Sequence, residues 1–316
     1  MRNPRLDWND SAEQNLQRVS RRHRAAASVL AGCGGSHKSS APKPADPLAP
    51  YAYDKSKPLT MQLKGAARRG KIEAQDISFA GPRGERVLAY LLVPPRRGRH
   101  PAIIYAHGAG GDRGELVPQA LAMAQRGAVA LTLEMPYSAT RGGRLTSGIE
   151  GVRKQVDRDV LGVQEIRRGV DLLRSLQYVD GKRIAYVGWS AGARLGAITS
   201  GVDHRIHSFD LLAGGAVPVS VYASLAPANI RDEVVRLVTK TDAYYFVRRA
   251  HPSALFFQNG REDQVVSLRA LRELAHDGSK PKDFRWYQSG HVPSARAWSD
   301  SRDWLSGRLS LTRKAP

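Results

Sequence analysis

The stretch IAYVGWSAGARLGAI, Ile184 to Ile198, changes character halfway along. Its first half alternates apolar residues at the two-residue period of a strand, and its second half is the Ala- and Leu-rich run of a helix. Between them stands Gly188-Trp189-Ser190-Ala191-Gly192, a G-x-S-x-G pattern. In a chain with 30 glycines the pattern alone is a weak signal. Its placement gives it weight. A serine at a strand-to-helix turn takes a strained backbone conformation, and small residues two before and two after it relieve the crowding. Gly188 and Gly192 therefore read as spacing devices, with Ser190 raised toward solvent and a helix N-terminus behind it.

On both sides of this turn, strand-like and helix-like segments alternate. From Ile72, IEAQDISF and RVLAYLLVPP are two short β runs separated by Gly81-Pro82-Arg83-Gly84, which predicts a hairpin. PAIIYAHGAGGD is a buried strand that stops at a Gly-rich loop. ELVPQALAMAQRG is a helix closed by Gly127, and AVALTLEMPY is a second buried strand. Val156, Val160, Val163, Ile166, Val170 and Leu173 recur at helical spacing and predict a long helix. Strands in RIAYVGWS, SFDLLAGG, SALFFQNG and DFRWYQSG then alternate with helices in ARLGAITSG, VSLRALRELAHDG and SARAWSDSRDWLSGRL. That order implies an α/β fold: a mostly parallel central sheet with an antiparallel N-terminal strand pair and helices on both faces. Reactive groups in such sheets collect in loops at the carboxyl ends of strands.

A serine hydroxyl needs a base. His291, in WYQSGHVPSA between the last strand and the last helix, is the candidate. His204, His207, His251 and His276 lie in or beside connecting segments. The imidazole in turn needs an acid, and Asp263 follows the strand ALFFQNG, with Glu262 beside it as the alternative. The chain order Ser190, Asp263, His291 is that of one fold that carries such a triad. For an oxyanion hole, the backbone N–H of Ala191 is one donor, and the loop AHGAGGD offers Ala109, or else Gly110, as the other. His107 in that loop reads as a brace. No cofactor and no metal site is expected.

Taken together, HGAGGD, GWSAGARLG, FFQNGREDQVV and SGHV resemble the α/β-hydrolase superfamily, and within it the dienelactone-hydrolase-like and acetyl-xylan-esterase-like serine esterases, over about 72–309. Dienelactone hydrolases proper use a Cys nucleophile; Ser at position 190 favours ordinary esters. Glu134-Met135-Pro136 stands where such families often carry Asp-x-Pro. The resemblance implies a serine carboxylesterase acting on a small-molecule ester. The alternatives are a peptidase of the prolyl-oligopeptidase type, whose usual N-terminal propeller has no room here, and a non-catalytic α/β-hydrolase scaffold that binds at the cell envelope. Two inserts are expected to line the site, 136–154 and 215–249. The second carries Tyr244, Tyr245 and Phe246 and could form a small cap or pack into the core. Arg141, Arg144 and Arg153 are candidates for favouring an acidic acyl group, with solvated surface as the default.

Composition narrows the classes. The chain has 316 residues, 41% of them hydrophobic, enough to bury a core without staples. Its one cysteine, Cys33, excludes an internal disulfide and a Cys-based metal site. No run approaches the roughly 18–20 apolar residues of a membrane span. The net charge of +20 invites nucleic acid or an anionic surface, but the arginines are scattered and no binding motif accompanies them, so no specific nucleic-acid partner is expected.

Residues 1–55 read as a segment apart from the 56–316 hydrolase domain. Arg21, Arg22 and Arg24 precede a short apolar run that ends in Leu30-Ala31-Gly32-Cys33, and a Ser-, Pro- and Ala-rich linker follows. This resembles a bacterial lipoprotein signal with Cys33 as the lipidated residue, and a start at Val19 would place it at an N-terminus. The expectation is an exported, membrane-anchored protein, or a cytoplasmic one if the segment is not a signal. Oligomeric state is left open.

Overall fold

Buried strands in this chain are continuous apolar runs, because helices cover both faces of the sheet they form. The computed structural model describes residues 46–95, 98–142 and 147–311. The strands are β1 (Gln62–Arg69), β2 (Ile72–Ala80), β3 (Arg86–Val93), β4 (His100–Ala106), β5 (Val129–Leu133), β6 (Val179–Trp189), β7 (Ser208–Leu212), β8 (Ala254–Gly260) and β9 (Lys282–Tyr287). They form one sheet in the order β1-β2-β3-β5-β4-β6-β7-β8-β9. From β5 to β9 every pairing is parallel, and β1, β2 and β3 join in antiparallel fashion.

Alternation along each strand divides the core in two. On β4, Ala102, Ile104 and Ala106 enter one apolar cluster, while Ile103 and Tyr105 enter the other. The first cluster is closed by α2 (Gly148–Ser175) and α3 (Ala191–Ser200), the second by α1 (Val117–Gln125) and α8 (Ala295–Leu309). The predicted long helix over 156–176 is α2, which starts earlier, at Gly148, and ends at Ser175.

Strand-like sequence begins at Ile72 with an antiparallel pair, whereas the sheet begins one strand earlier. All eight residues of β1 are exposed, so QLKGAARR carries no apolar alternation and joins the sheet chiefly through its backbone. The insert after β7 forms α4 (Val219–Leu225), α5 (Arg231–Val238) and α6 (Ala243–Val247), with α7 (Leu268–Asp277) following β8. Tyr244 and Phe246 of α6 are buried and belong to the core, so they pack rather than cap. The part of this insert that stays at the surface is α4, none of whose residues is fully buried.

Candidate active site

Ser190 is the single residue between β6 and α3, with φ 55° and ψ −113°. Non-glycine residues rarely adopt positive φ, and the conformation costs on the order of 1–3 kcal/mol. Neighbouring structure holds it there: the Ser190 N–H donates to the Leu212 carbonyl at the end of β7 at 2.8 Å. The two flanking glycines make the approach sterically possible. A Cβ on Gly188 would lie 2.5 Å from the backbone of Gly192, and one on Gly192 would lie 2.2 Å from the Ala106 carbonyl oxygen. Serine is a common helix N-cap, yet the Ser190 side chain caps nothing on α3. Its hydroxyl turns to His291 instead.

The distances are short and consecutive. Ser190 Oγ lies 2.8 Å from His291 Nε2, and His291 Nδ1 lies 2.8 Å from Asp263 Oδ2. A carboxylate only accepts, so Nδ1 carries the proton and Nε2 is left to accept from the serine hydroxyl. The other Asp263 oxygen accepts the N–H groups of Val265 and Val266 at 2.8 and 2.9 Å. Burial pushes the Asp263 carboxyl up, but the hydrogen bonds from His291, Val266 and Val265 outweigh it and hold the group below the usual carboxylate range. Glu262 is exposed, and among the described residues only its backbone is engaged, donating to the Ser289 carbonyl at 3.0 Å. That bond and one from Arg261 N–H to Tyr287 O at 2.8 Å continue the β8–β9 pairing past both strands, setting the acid and histidine loops side by side.

The loop after β4 lies next to this group. His107 is 2% exposed; its Nε2 accepts the Met135 N–H at 3.1 Å and its Nδ1 donates to the Gly108 carbonyl at 2.7 Å. Burial lowers its pKa and keeps the ring neutral. His107 therefore ties the β4 and β5 loops together, assisted by Tyr137, whose hydroxyl donates to the His107 carbonyl at 2.7 Å. Gly108 N–H donates to Glu115 at 2.8 Å and Gly110 N–H to Tyr137 O at 3.4 Å. Among the described residues, the Ala109 N–H donates to no other group, and Ala191, as the first residue of α3, has no intrahelical acceptor. Of the sequence candidates, Ser190, Asp263 and His291 are brought together, Glu262 is not, and Ala109 rather than Gly110 has its donor free. Glu134 is a brace, accepting from Arg113 N–H at 2.9 Å and Thr140 Oγ1 at 2.8 Å.

Of these arginines, Arg153 keeps the surface default and Arg141 departs from it. Arg141 is held by both oxygens of the fully buried Glu165, at 2.6 and 3.0 Å, and bonds the Glu134 carbonyl as well. Arg153 pairs with Glu233 on the surface and with Glu150 at 3.9 Å. Their charges are answered by carboxylates of the same chain, which leaves little for an acidic acyl group. Arg144 and Cys33 lie outside the described residues.

Two further residues beside Ser190 are marked by the motif and by helical spacing. Trp189, inside the motif itself, donates its indole N–H to the His291 carbonyl at 3.1 Å, with the two rings 5.9 Å apart. Arg194 stands four residues past Ser190, the helical spacing that stacks side chains on one face. Among the described residues, no group of three or more His, Cys, Asp and Glu is placed to hold a metal ion.

Comparison with known proteins agrees with this architecture. The acetyl xylan esterase (AXE1) family model matches residues 56–211, ending in β7 before Asp263 and His291 are reached. A search among curated proteins by sequence finds no match. Among solved structures, acetyl xylan esterase 1 from Thermoanaerobacterium sp. JW/SL YS485 superposes with a TM-score of 0.69 at 18% identity, over 82% of this chain and 91% of that one. The acetyl xylan esterase from Paenibacillus sp. R4 gives 0.66 at 18% identity, over 83% and 92%. A glucuronoyl esterase from Solibacter usitatus gives 0.60 at 11% identity, over 83% and 91%. At such identities these likenesses are of fold. Joined to the family match, they show an α/β-hydrolase fold similar to that of acetyl xylan esterases and support a carboxylic-ester hydrolase.

Proposed function

We propose that the chain cleaves carboxylic esters by acyl transfer through Ser190, His291 and Asp263. The observation that carries this is the unbroken run of 2.8 Å contacts from Ser190 Oγ through the imidazole to the Asp263 carboxylate. Ser190 attacks the ester carbonyl while His291 Nε2 takes its proton, and Asp263 stabilises the imidazolium that forms. The N–H groups of Ala109 and Ala191 hold the oxyanion. His291 then protonates the leaving alcohol. In the second half, water activated by the same ring releases the acid from the acyl-serine. Losing one oxyanion donor typically costs about 100- to 1000-fold in rate, which makes the unbonded Ala109 N–H important.

The names of the family and of the similar structures make acetylated carbohydrates the first substrates to try. Purified protein is expected to hydrolyse short p-nitrophenyl esters and to be labelled at Ser190 by a fluorophosphonate. An ester panel varying acyl length, acetylated sugars included, then ranks substrates. Wild-type protein that folds but takes no label, or a Ser190→Ala variant labelled equally, overturns the reading.

The basic cluster, apolar run and Leu30-Ala31-Gly32-Cys33 support export and anchoring through a lipid on Cys33. Metabolic labelling with a fatty-acid probe should mark the wild type and not Cys33→Ser; an unlabelled wild type in the membrane-free fraction would count against it.

A further inference from the structure

Eight of the ten residues of helix α3 are buried; the two that are not are Ala191 and Arg194. Arg194 N–H donates to the Ser190 carbonyl at 3.0 Å, which sets Arg194 one helical turn beyond the serine. On this helix solvent reaches only Ala191 and Arg194, the two residues that follow Ser190 and are not buried. Arg194 is thus the part-exposed polar side chain of α3, one helical turn from the nucleophile.

The guanidinium is fixed. Its two terminal nitrogens bond both oxygens of Asp159 on α2 at 2.7 and 2.6 Å, and Gln155 Nε2 adds a third bond to that carboxylate at 2.8 Å. Asp159 is 2% exposed at its side chain, Arg194 23%. A guanidinium has five N–H donors and the fork uses two. Among the described residues Arg194 makes no other side-chain hydrogen bond. Tyr222 of α4, half-buried, stands in the field of both charges, and burial raises its pKa, with Arg194 opposing and Asp159 adding to the rise. Its hydroxyl bonds to no described residue and is not one of the buried unpaired groups, so it too meets solvent.

This cluster differs from a free cation. Asp159 cancels the charge of Arg194 at contact distance, so a second carboxylate gains little there, whereas a neutral oxygen gains directed N–H donors without a net charge to desolvate. We propose that Arg194 and Tyr222 form a subsite for an uncharged oxygen of the substrate, a hydroxyl or ether within a few bonds of the scissile ester. The oxygen accepts from Arg194 and, when it is a hydroxyl, donates to or accepts from Tyr222. This rests on the hydrolase reading above and adds which substituents that site selects.

The test compares matched esters on the intact chain. Glycerol monoacetate against propyl acetate places the hydroxyls on the alcohol; ethyl glycerate against ethyl propanoate places them on the acyl group. Wild type should favour the hydroxylated member in at least one pair. Tyr222→Phe and Arg194→Lys, which retains a partner for Asp159, should each lower that ratio of kcat/KM by about tenfold, chiefly through KM. Because each ratio is taken within one protein preparation, it is insensitive to the fraction folded, and Tyr222→Phe removes no buried ion partner. The arm that moves tells whether the oxygen belongs to the alcohol or the acid. A fluorophosphonate-labelled protein whose ratios shift by less than twofold in both variants overturns the subsite and leaves the hydrolase reading intact. A folded wild type that takes no label overturns both.

Discussion

Two margins of the same sheet behave in opposite ways. At the carboxyl ends of β6 and β7, Ser190 and Ala213 sit at φ 55° and 51°, glycines press against backbone, and the Asp263 side chain is fully buried beside them. Along β1 every residue is exposed, and the pairing to β2 tolerates a register shift between Leu63 and Gly65. At the first margin each atom is placed by contacts from several directions, so almost any change is felt. At the second, backbone hydrogen bonds do the joining and side chains face water. Strain and buried charge coincide at the first margin, and the residues of the outer strand carry neither.

The comparison is sharpest at adjacent carboxylates. Asp263→Asn should lower kcat by about 10³- to 10⁴-fold, because the amide no longer fixes the tautomer of His291. Glu262→Gln, one residue away and exposed, should leave ester hydrolysis within twofold of wild type; equal losses in the two variants would dissolve the distinction between them. Next in size is Gly192→Ala. The new Cβ meets two backbone carbonyls, and a thermal melt should show a loss of about 3 kcal/mol or failure to fold.

Trp189→Phe keeps a ring beside the imidazole and removes the N–H that holds the His291 carbonyl. A fall of about tenfold in kcat with KM unchanged is expected in steady-state kinetics; a change in KM alone would make Trp189 a substrate contact instead.

Asp263 also shapes stability in acid. Its folded pKa lies below the unfolded value, so its contribution is present above that value and is lost as pH falls through the folded one. Melting curves from pH 3 to 7 should therefore drop more steeply below about pH 4 in wild type than in Asp263→Asn. The smallest effect belongs to the outer strand. Leu63→Thr on β1 should change stability by less than about 0.5 kcal/mol, and a larger loss would show that this margin carries more than backbone pairing.

Much of this molecule was legible in its residues. Continuous apolar runs marked β4 through β8, helical spacing marked α2, and the glycines at 188 and 192 marked the turn at Ser190, because each pattern is local and repeats at the period of its element. The order Ser190, Asp263, His291 was legible too, since loops at strand ends follow chain order. Tertiary structure alone decided the rest. It separated Asp263 from Glu262, which differ by one residue and by the direction in which a turn points them. It engaged Arg141 and Arg153 with distant carboxylates and set Arg194 on Asp159 beside the nucleophile. Period and composition report which face of an element is apolar; the partner of a charge depends on which elements that face brings together, and that is settled only when the sheet and its helices pack.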